Sequence, residues 1–346
     1  LYRRIAEGGE VTLRAPFPWF GGKSRASADV WAALGDVRSY VEPFAGSLAV
    51  LLGRPDGWSG SETVNDVDGM IVNFWRAVAA EPDAVEAWHD WPVMELDLTA
   101  RHLWLVARKD ALRARLEADP DYYDVQIAGW WVWGICGWIG SGWCSGEGPW
   151  TTDGERVTNG NAGMGVHRQL PHLGDAGMGV HRQLPHLGNA GRGVHRQLPR
   201  QGNALAEPSS HAALAARLRR VRVACGDWSR VVTPSAARGA GGPGVSIGVF
   251  LDPPYPDGEM GDYGASDVAG LWRDVCVWAV EHGAEYRVVL AGYEGTFEPP
   301  VGWTARKWHA RMGYAGQGDG TNENRRRETL WCSPTCVPVR APGLFA

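Results

Sequence analysis

The chain has 346 residues, 44% hydrophobic and 21% charged, enough apolar material for one large domain or two ordinary ones. A net charge of -5 excludes a histone-like or generally polybasic protein, so any nucleic-acid groove must be built from local arginine clusters. Six cysteines form no Cys-x-x-Cys pair and are too sparse for a disulfide scaffold, and the longest apolar stretch, Ile127 to Ile139, is too short for a membrane span and is broken by glycines. A soluble, untargeted protein of a reducing compartment is the expectation, with no membrane partner.

In chain order, Ser24 to Leu34 is predicted as a helix and Arg38 to Pro43 as a buried strand, followed by a glycine-bearing loop and the apolar helix Leu48 to Leu52. A second strand is expected to end near Asn65. Ile71, Phe74, Trp75 and Val78 then recur at helical spacing within Met70 to Val78. Alternating strands and helices predict a parallel sheet. From about Pro82 the pattern changes to helices rich in Trp and Arg, with Leu98 to Ala118 the clearest and Val125 to Ile139 the most apolar. Trp130, Trp131, Trp133, Trp138 and Trp143 are assigned to packing, because aromatic residues at helical spacing are more often core than binding surface.

Between about Asn161 and Asn203 the chain repeats itself every 14 residues. His167 to Gly174 and His181 to Gly188 both read HRQLPHLG, and His195 to Gly202 reads HRQLPRQG. Each copy holds two or three glycines and a proline, too polar for a solenoid repeat, so an extended surface array is expected. Arg168, Arg182 and Arg196, one per copy, are candidate phosphate contacts. The histidines lack compact ligand spacing with carboxylates or cysteines, and no metal is expected. A helix over Ala212 to Arg220 and strands at Val221 to Cys225, Ser246 to Leu251 and Tyr286 to Ala291 then resume the sheet.

The sharpest chemical signal is Asp252-Pro253-Pro254-Tyr255, directly after the apolar run Val245 to Leu251, where a strand's carboxyl end opens a site. An exocyclic amino nitrogen of a base is a poor nucleophile because its lone pair is delocalised into the ring. A catalyst must therefore accept its hydrogens. Asp252 offers one acceptor and the Pro253 carbonyl a second, the prolines restrict the backbone between them, and Tyr255 can stack on an extruded base. Taken alone, the same tetrapeptide is also a proline-rich turn.

Upstream, Val41-Glu42-Pro43-Phe44-Ala45-Gly46-Ser47 places a glycine where a ligand can approach the backbone and a phenylalanine that can lie against an aromatic ring. Asp66 and Val67 follow the second strand, where an acid can bind ribose hydroxyls. No GxGxxG follows a predicted strand to open a helix, the one such run at Gly239 to Gly244 lying ahead of a strand instead, and no P-loop is present, which disfavours a dinucleotide or ATP and suits a nucleoside without phosphates. Near the start, Trp19-Phe20-Gly21-Gly22-Lys23 joins aromatics, a glycine turn and a cation just ahead of a helix, and Trp19 and Lys23 are candidate cofactor-site residues.

These pieces, in this order, resemble the DNA adenine methylase family of class I methyltransferases, the bacterial and phage enzymes. The resemblance covers roughly Pro16 to Ala80 and Val221 to Ser333. It extends to Cys225-Gly226-Asp227-Trp228, matching a position near the cofactor's adenine, and to a closing hairpin at Thr321 to Trp331. It implies an α/β Rossmann-like mixed sheet with helices on both faces. The catalytic domain would be split over 1-90 and 215-340, around a mostly helical and looped target-recognition insert at 91-214.

The resemblance further implies S-adenosylmethionine bound by Trp19, Lys23, Glu42, Phe44, Gly46, Asp66, Val67, Asp227, Trp228 and Asp252. DNA would be the partner, met by Arg168, Arg182, Arg196, Arg325, Arg326 and Arg327, with the protein allowed to act as a monomer in a bacterial or phage-infected cytoplasm. The implied reaction is adenine-N6 methylation of a flipped base, for restriction-modification or for phage DNA. Cytosine-N4 methylation, methylation of RNA or of a protein Gln, and a catalytically silent DNA-binding protein are the alternatives. Two departures stand out. The loop reads PFAGS where a second glycine is usual, with Ser47 in its place, and residues from about Pro92 to Asn203 match no known recognition domain.

Overall fold

The computed structural model describes residues 13-19, 23-138, 143-144, 150-152, 157-159, 210-239, 244-256, 267-308 and 328-338. In chain order the elements are α1 (Ser27–Leu34), β1 (Ser39–Glu42), α2 (Ala49–Leu52), β2 (Ser61–Asp66), α3 (Gly69–Ala80), α4 (Pro82–His89), α5 (Glu95–Val106), α6 (Lys109–Ala118) and α7 (Val125–Gly137). There follow β3 (Trp150–Thr152), β4 (Val157–Asn159), α8 (Ser210–Leu218), β5 (Val221–Cys225), a short 3-10 turn (Trp228–Arg230), α9 (Pro234–Arg238), β6 (Ile247–Leu251), α10 (Val268–His282), β7 (Arg287–Tyr293), β8 (Thr304–Lys307) and β9 (Glu328–Cys332). The chain divides into two compact units: Trp19–Asp68 with Arg220–Ala346, and Leu1–Pro18 with Gly69–Arg219.

The first unit is built on a seven-stranded sheet in the order β5-β2-β1-β6-β7-β9-β8. Strands β5, β2, β1, β6 and β7 run parallel, while β9 is antiparallel to both β7 and β8. Every residue of β1 and β6 is buried, so these central strands read as continuous runs rather than alternating ones, as strands covered on both faces do. Val41, Val249, Leu251, Val288, Leu290 and Trp331 form the centre of its core, joined by Trp272, Val275 and Ala279 of α10. The unit is thus α/β with a mostly parallel mixed sheet, compatible with a Rossmann-like fold.

Strand order reverses beside β1. From β1 the chain proceeds outward through β2 to β5, then returns to β6 on the other side and continues to β7. The carboxyl ends of β1 and β6 therefore flank a topological switch point, the place where a crevice opens in open parallel sheets.

The second unit is mainly helical, with the antiparallel pair β3-β4. Helix α3 is buried along Gly69 to Val78, and its polar residues tie other elements down. The Asn73 amide exchanges two hydrogen bonds with the Asp124 backbone, at 2.8 and 2.7 Å, while the Asp124 side chain caps α7 by accepting from the Ile127 N–H at 2.9 Å. Arg76 donates to the carbonyls of Leu116, in the last turn of α6, and of Asp119 and Tyr122 in the loop that follows. Trp131 and Trp133 are fully buried, Trp131 edge-on to Phe17 at 5.1 Å, whereas Trp130, Trp138 and Trp143 are only partly covered.

Three differences from the sequence reading have physical causes. The stretch Leu98 to Ala118 is two helices, because the Arg108 side chain takes the Trp104 carbonyl at 3.1 Å and the backbone restarts at Lys109. The compact units divide at Gly69 and Arg220, whereas the sequence pattern changes from about Pro82. Helix α3 is buried on every side and clusters with α6, α7 and α8. Helix α10 goes unassigned from sequence, although Asp267 caps it by accepting from the Gly270 N–H at 2.7 Å and Trp272, Val275 and Ala279 keep helical spacing. No described helix is long and apolar enough to cross a membrane.

Candidate active site

All the described site residues belong to the sheet unit, at or after the carboxyl ends of β1, β2, β5 and β6, in the segment ahead of α1, or at the start of β9. Asn65 holds three of these ends together. Its buried side-chain amide donates to the carbonyls of Pro43 at 3.1 Å and Gly226 at 3.0 Å, while the Asn65 backbone carbonyl accepts from the Ala45 N–H at 2.9 Å. Asp66 braces the same loops: one carboxylate oxygen accepts from the Gly46 N–H and the other from the Asp68 N–H, both at 2.9 Å. Burial raises its pKa to about 6, against the pull of those two N–H groups. Its oxygens are thus engaged with backbone, and Val67 beside it is exposed.

The β1 loop needs its glycine. Gly46 has φ of 44°, and a Cβ there would lie 2.4 Å from Nε1 of Trp19, whose indole rests against the loop. The other left-handed position in the loop is Leu48, with φ of 55°, a strained conformation for a residue that carries a Cβ. Phe44 faces Trp228 with ring centroids 6.0 Å apart and planes 27° off parallel. Asp227, exposed, accepts from the Ser229 N–H at 2.9 Å and so shapes the turn that carries Trp228.

Glu42 is nearly inaccessible and accepts a 2.9 Å hydrogen bond from the Tyr40 hydroxyl. Burial pushes its pKa up to about 8, opposed by that bond and reinforced by the nearby Asp252 charge, so it holds its proton at neutral pH.

At the end of β6 a cluster of ionisable groups converges. Lys23 Nζ lies 3.1 Å from Asp252 Oδ1 and 4.0 Å from Glu328 Oε2, with its ammonium 5.3 Å from the Tyr255 ring centre and 5.6 Å from that of Trp308. The Tyr255 hydroxyl donates to the same Asp252 Oδ1 at 2.9 Å and comes within 3.4 Å of Glu328 Oε2. Trp272 and Tyr293 meet the Tyr255 ring edge-on at 5.8 and 4.7 Å and fix its plane. Burial alone would lower the Lys23 pKa, but the Asp252 and Glu328 carboxylates outweigh it and leave it raised. Burial, and then the same two carboxylates, hold the Tyr255 phenol well above its ordinary value.

No family model matches the chain, and no curated protein does either. The site is therefore read from its own geometry.

Of the residues singled out in the sequence, Lys23, Asp252 and Tyr255 come into direct contact, and Pro253 is buried beneath them. Trp19 meets Gly46, Gly46 meets Asp66, and Phe44 meets Trp228. Arg168, Arg182, Arg196, Arg325, Arg326 and Arg327, the 14-residue repeats and most of the closing hairpin lie outside the described residues. Sequence reasoning missed Glu328. Its only signal is an acid at the head of an otherwise apolar strand, and β9 brings it opposite Tyr293 by antiparallel pairing. Among the described residues no cluster of three or more His, Cys, Asp or Glu could hold a metal ion.

Proposed function

We propose that this chain is an S-adenosylmethionine-dependent DNA methyltransferase of the adenine methylase type, acting on adenine N6 of a base extruded from its stack. The observation that carries the reading is the position of Asp252 to Tyr255: an accessible carboxylate and a fixed aromatic ring on the loop leaving β6, at the switch point of a mostly parallel sheet.

The Asp252 carboxylate and the Pro253 carbonyl would accept hydrogen bonds from the amino group and return electron density to nitrogen, so that the N–C bond forms as the donor's S–C bond breaks to leave a thioether and one amino proton passes to solvent. Tyr255, held by Trp272 and Tyr293, offers its ring to the flipped base. The cofactor supplies an electrophilic methyl on sulfonium. Its nucleoside would be held by the Gly46 loop against Trp19, by Phe44 and Trp228, and by Asp66 with the exposed Val67 and Asp227, while the buried Lys23 and Glu42 would support the site. The tight backbone at Gly46, which a Cβ would fill, fits a ligand approaching the main chain.

DNA is the proposed partner, contacted through the arginines of the repeats and of Arg325 to Arg327, in the cytoplasm of a bacterium or a phage-infected cell. The test is mass spectrometry of nucleosides from DNA incubated with the protein and S-adenosylmethionine, with Asp252→Ala in parallel. N6-methyladenine that vanishes in the variant is the expected result. N4-methylcytosine would keep the mechanism and move the target, and no methylated base would end the enzymatic reading.

A further inference from the structure

At Asp252 Oδ1 an amino group must compete with two donors, because the Lys23 ammonium and the Tyr255 hydroxyl are both directed at that oxygen, at 3.1 and 2.9 Å. A second acceptor stands within reach of the same two donors. Glu328 Oε2 is 4.0 Å from Lys23 Nζ and 3.4 Å from the Tyr255 hydroxyl, so each donor is displaced towards Asp252 by less than 1 Å. The phenol has one proton and can satisfy one carboxylate at a time.

We infer that Glu328 is a positioning residue of this site: a buried acceptor that takes over Lys23 and the Tyr255 hydroxyl when Asp252 turns to its substrate. Side-chain exposure gives the two acids different partners. Asp252 is 20% exposed and can meet a ligand, whereas Glu328 at 7% and Lys23 at 5% are enclosed. One cation shared between two carboxylates also leaves the cluster with a net negative charge. Asp252 then remains a stronger hydrogen-bond acceptor than in a one-to-one pair with Lys23.

The inference rests on the amino-methyltransferase reading. Besides Lys23, Asp252 and Tyr255, the titratable groups bearing on the cluster are Tyr293, beside Lys23 and Tyr255, and Glu42, whose carboxyl senses Asp252. Burial lifts the Glu328 carboxyl above the ordinary glutamate range, with Lys23 opposing. Protonation of Glu328 removes the alternative acceptor, which puts an acid limb on turnover.

The experiment compares full-length wild type and Glu328→Gln, measuring kcat and KM against pH with S-adenosylmethionine and adenine-containing duplex DNA, alongside cofactor binding by calorimetry. In the variant we expect kcat to fall on the order of tenfold or more, cofactor affinity to be kept, and the acid limb to disappear. Should Glu328→Gln not fold, Glu328→Asp decides, since it keeps the charge but draws it back from both donors. A lowered kcat with the acid limb retained supports the inference. Wild-type kcat and an unchanged pH profile in either folded variant overturn it while leaving the methyltransferase reading intact. A wild-type protein that methylates no base overturns both.

Discussion

The two compact units bury polar groups in opposite ways. In the sheet unit, Lys23, Asp252, Glu328 and Tyr255 are within hydrogen-bonding or ion-pairing reach of one another, and the pKa of Lys23 stays raised despite burial. In the helical unit, His89 and His211 lie with ring centroids 4.9 Å apart, 1% and 0% exposed, and none of their four ring nitrogens has a hydrogen-bond partner among the described residues. Burial first, and for His89 the neighbouring His211 as well, drives their pKa values down to about 3 and 4. A buried charge persists only with a partner, while a buried imidazole without one stays neutral. The first arrangement keeps the buried Lys23 charged, and the second makes the helical unit sensitive to acid.

The largest test of this contrast is at Asp252. Asp252→Ala removes the acceptor, and we expect methyl transfer to fall by about 10²- to 10⁴-fold, read as methylated nucleoside formed per enzyme. Next comes Lys23→Met, which leaves Asp252 and Glu328 without their shared cation. Urea denaturation should show a loss of about 3-5 kcal/mol, and a change near zero would mean that the cluster is not a buried ion pair in solution. Gly46→Ala forces a side chain into a left-handed turn against Trp19. It should cost about 1-3 kcal/mol in stability and weaken cofactor binding in calorimetry.

Joint replacement of His89 and His211 by Leu removes unsatisfied buried nitrogens and should stabilise by about 1-3 kcal/mol. It should also flatten the acid response. Both folded pKa values lie below the ordinary 6.5, so the unfolded chain takes up protons first, and stability held above pH 6.5 is lost as pH falls towards 4 and 3. A further pH-dependent effect is expected at Glu42. Its folded value of about 8 lies above the ordinary 4.5, so stability present at pH 4.5 is lost as pH rises through 8. Glu42→Gln keeps an acceptor for Tyr40 and should abolish that slope in thermal melts recorded from pH 5 to 9.

Parts of this molecule are legible in the letters because they depend on neighbours in sequence. A buried run ending at Leu251 and followed by Asp-Pro-Pro-Tyr, a glycine between Phe44 and Leu48, and helical spacing in Met70 to Val78 are all local patterns. They correspond to the end of β6, the turn at Gly46 and helix α3. Other features are silent in sequence. The break between α5 and α6 depends on where one arginine side chain lands, and the strained backbone at Leu48 depends on how the loop closes over Asp66.

By itself, the sequence determined that strands and helices alternate, which loops carry glycine and proline, and which acid sits at a strand's carboxyl end, since each follows from backbone sterics and periodicity over a few residues. Only the tertiary structure decided that Lys23, Asp252 and Glu328 share one cluster and that Asn65 ties three loops. It also decided that His89 meets His211. Those contacts join residues far apart in the chain, and the strand order β5-β2-β1-β6-β7-β9-β8 and the packing of α4 on α8 bring them together. Such pairings are set by which apolar faces can be buried against each other, and no short stretch of sequence records that choice.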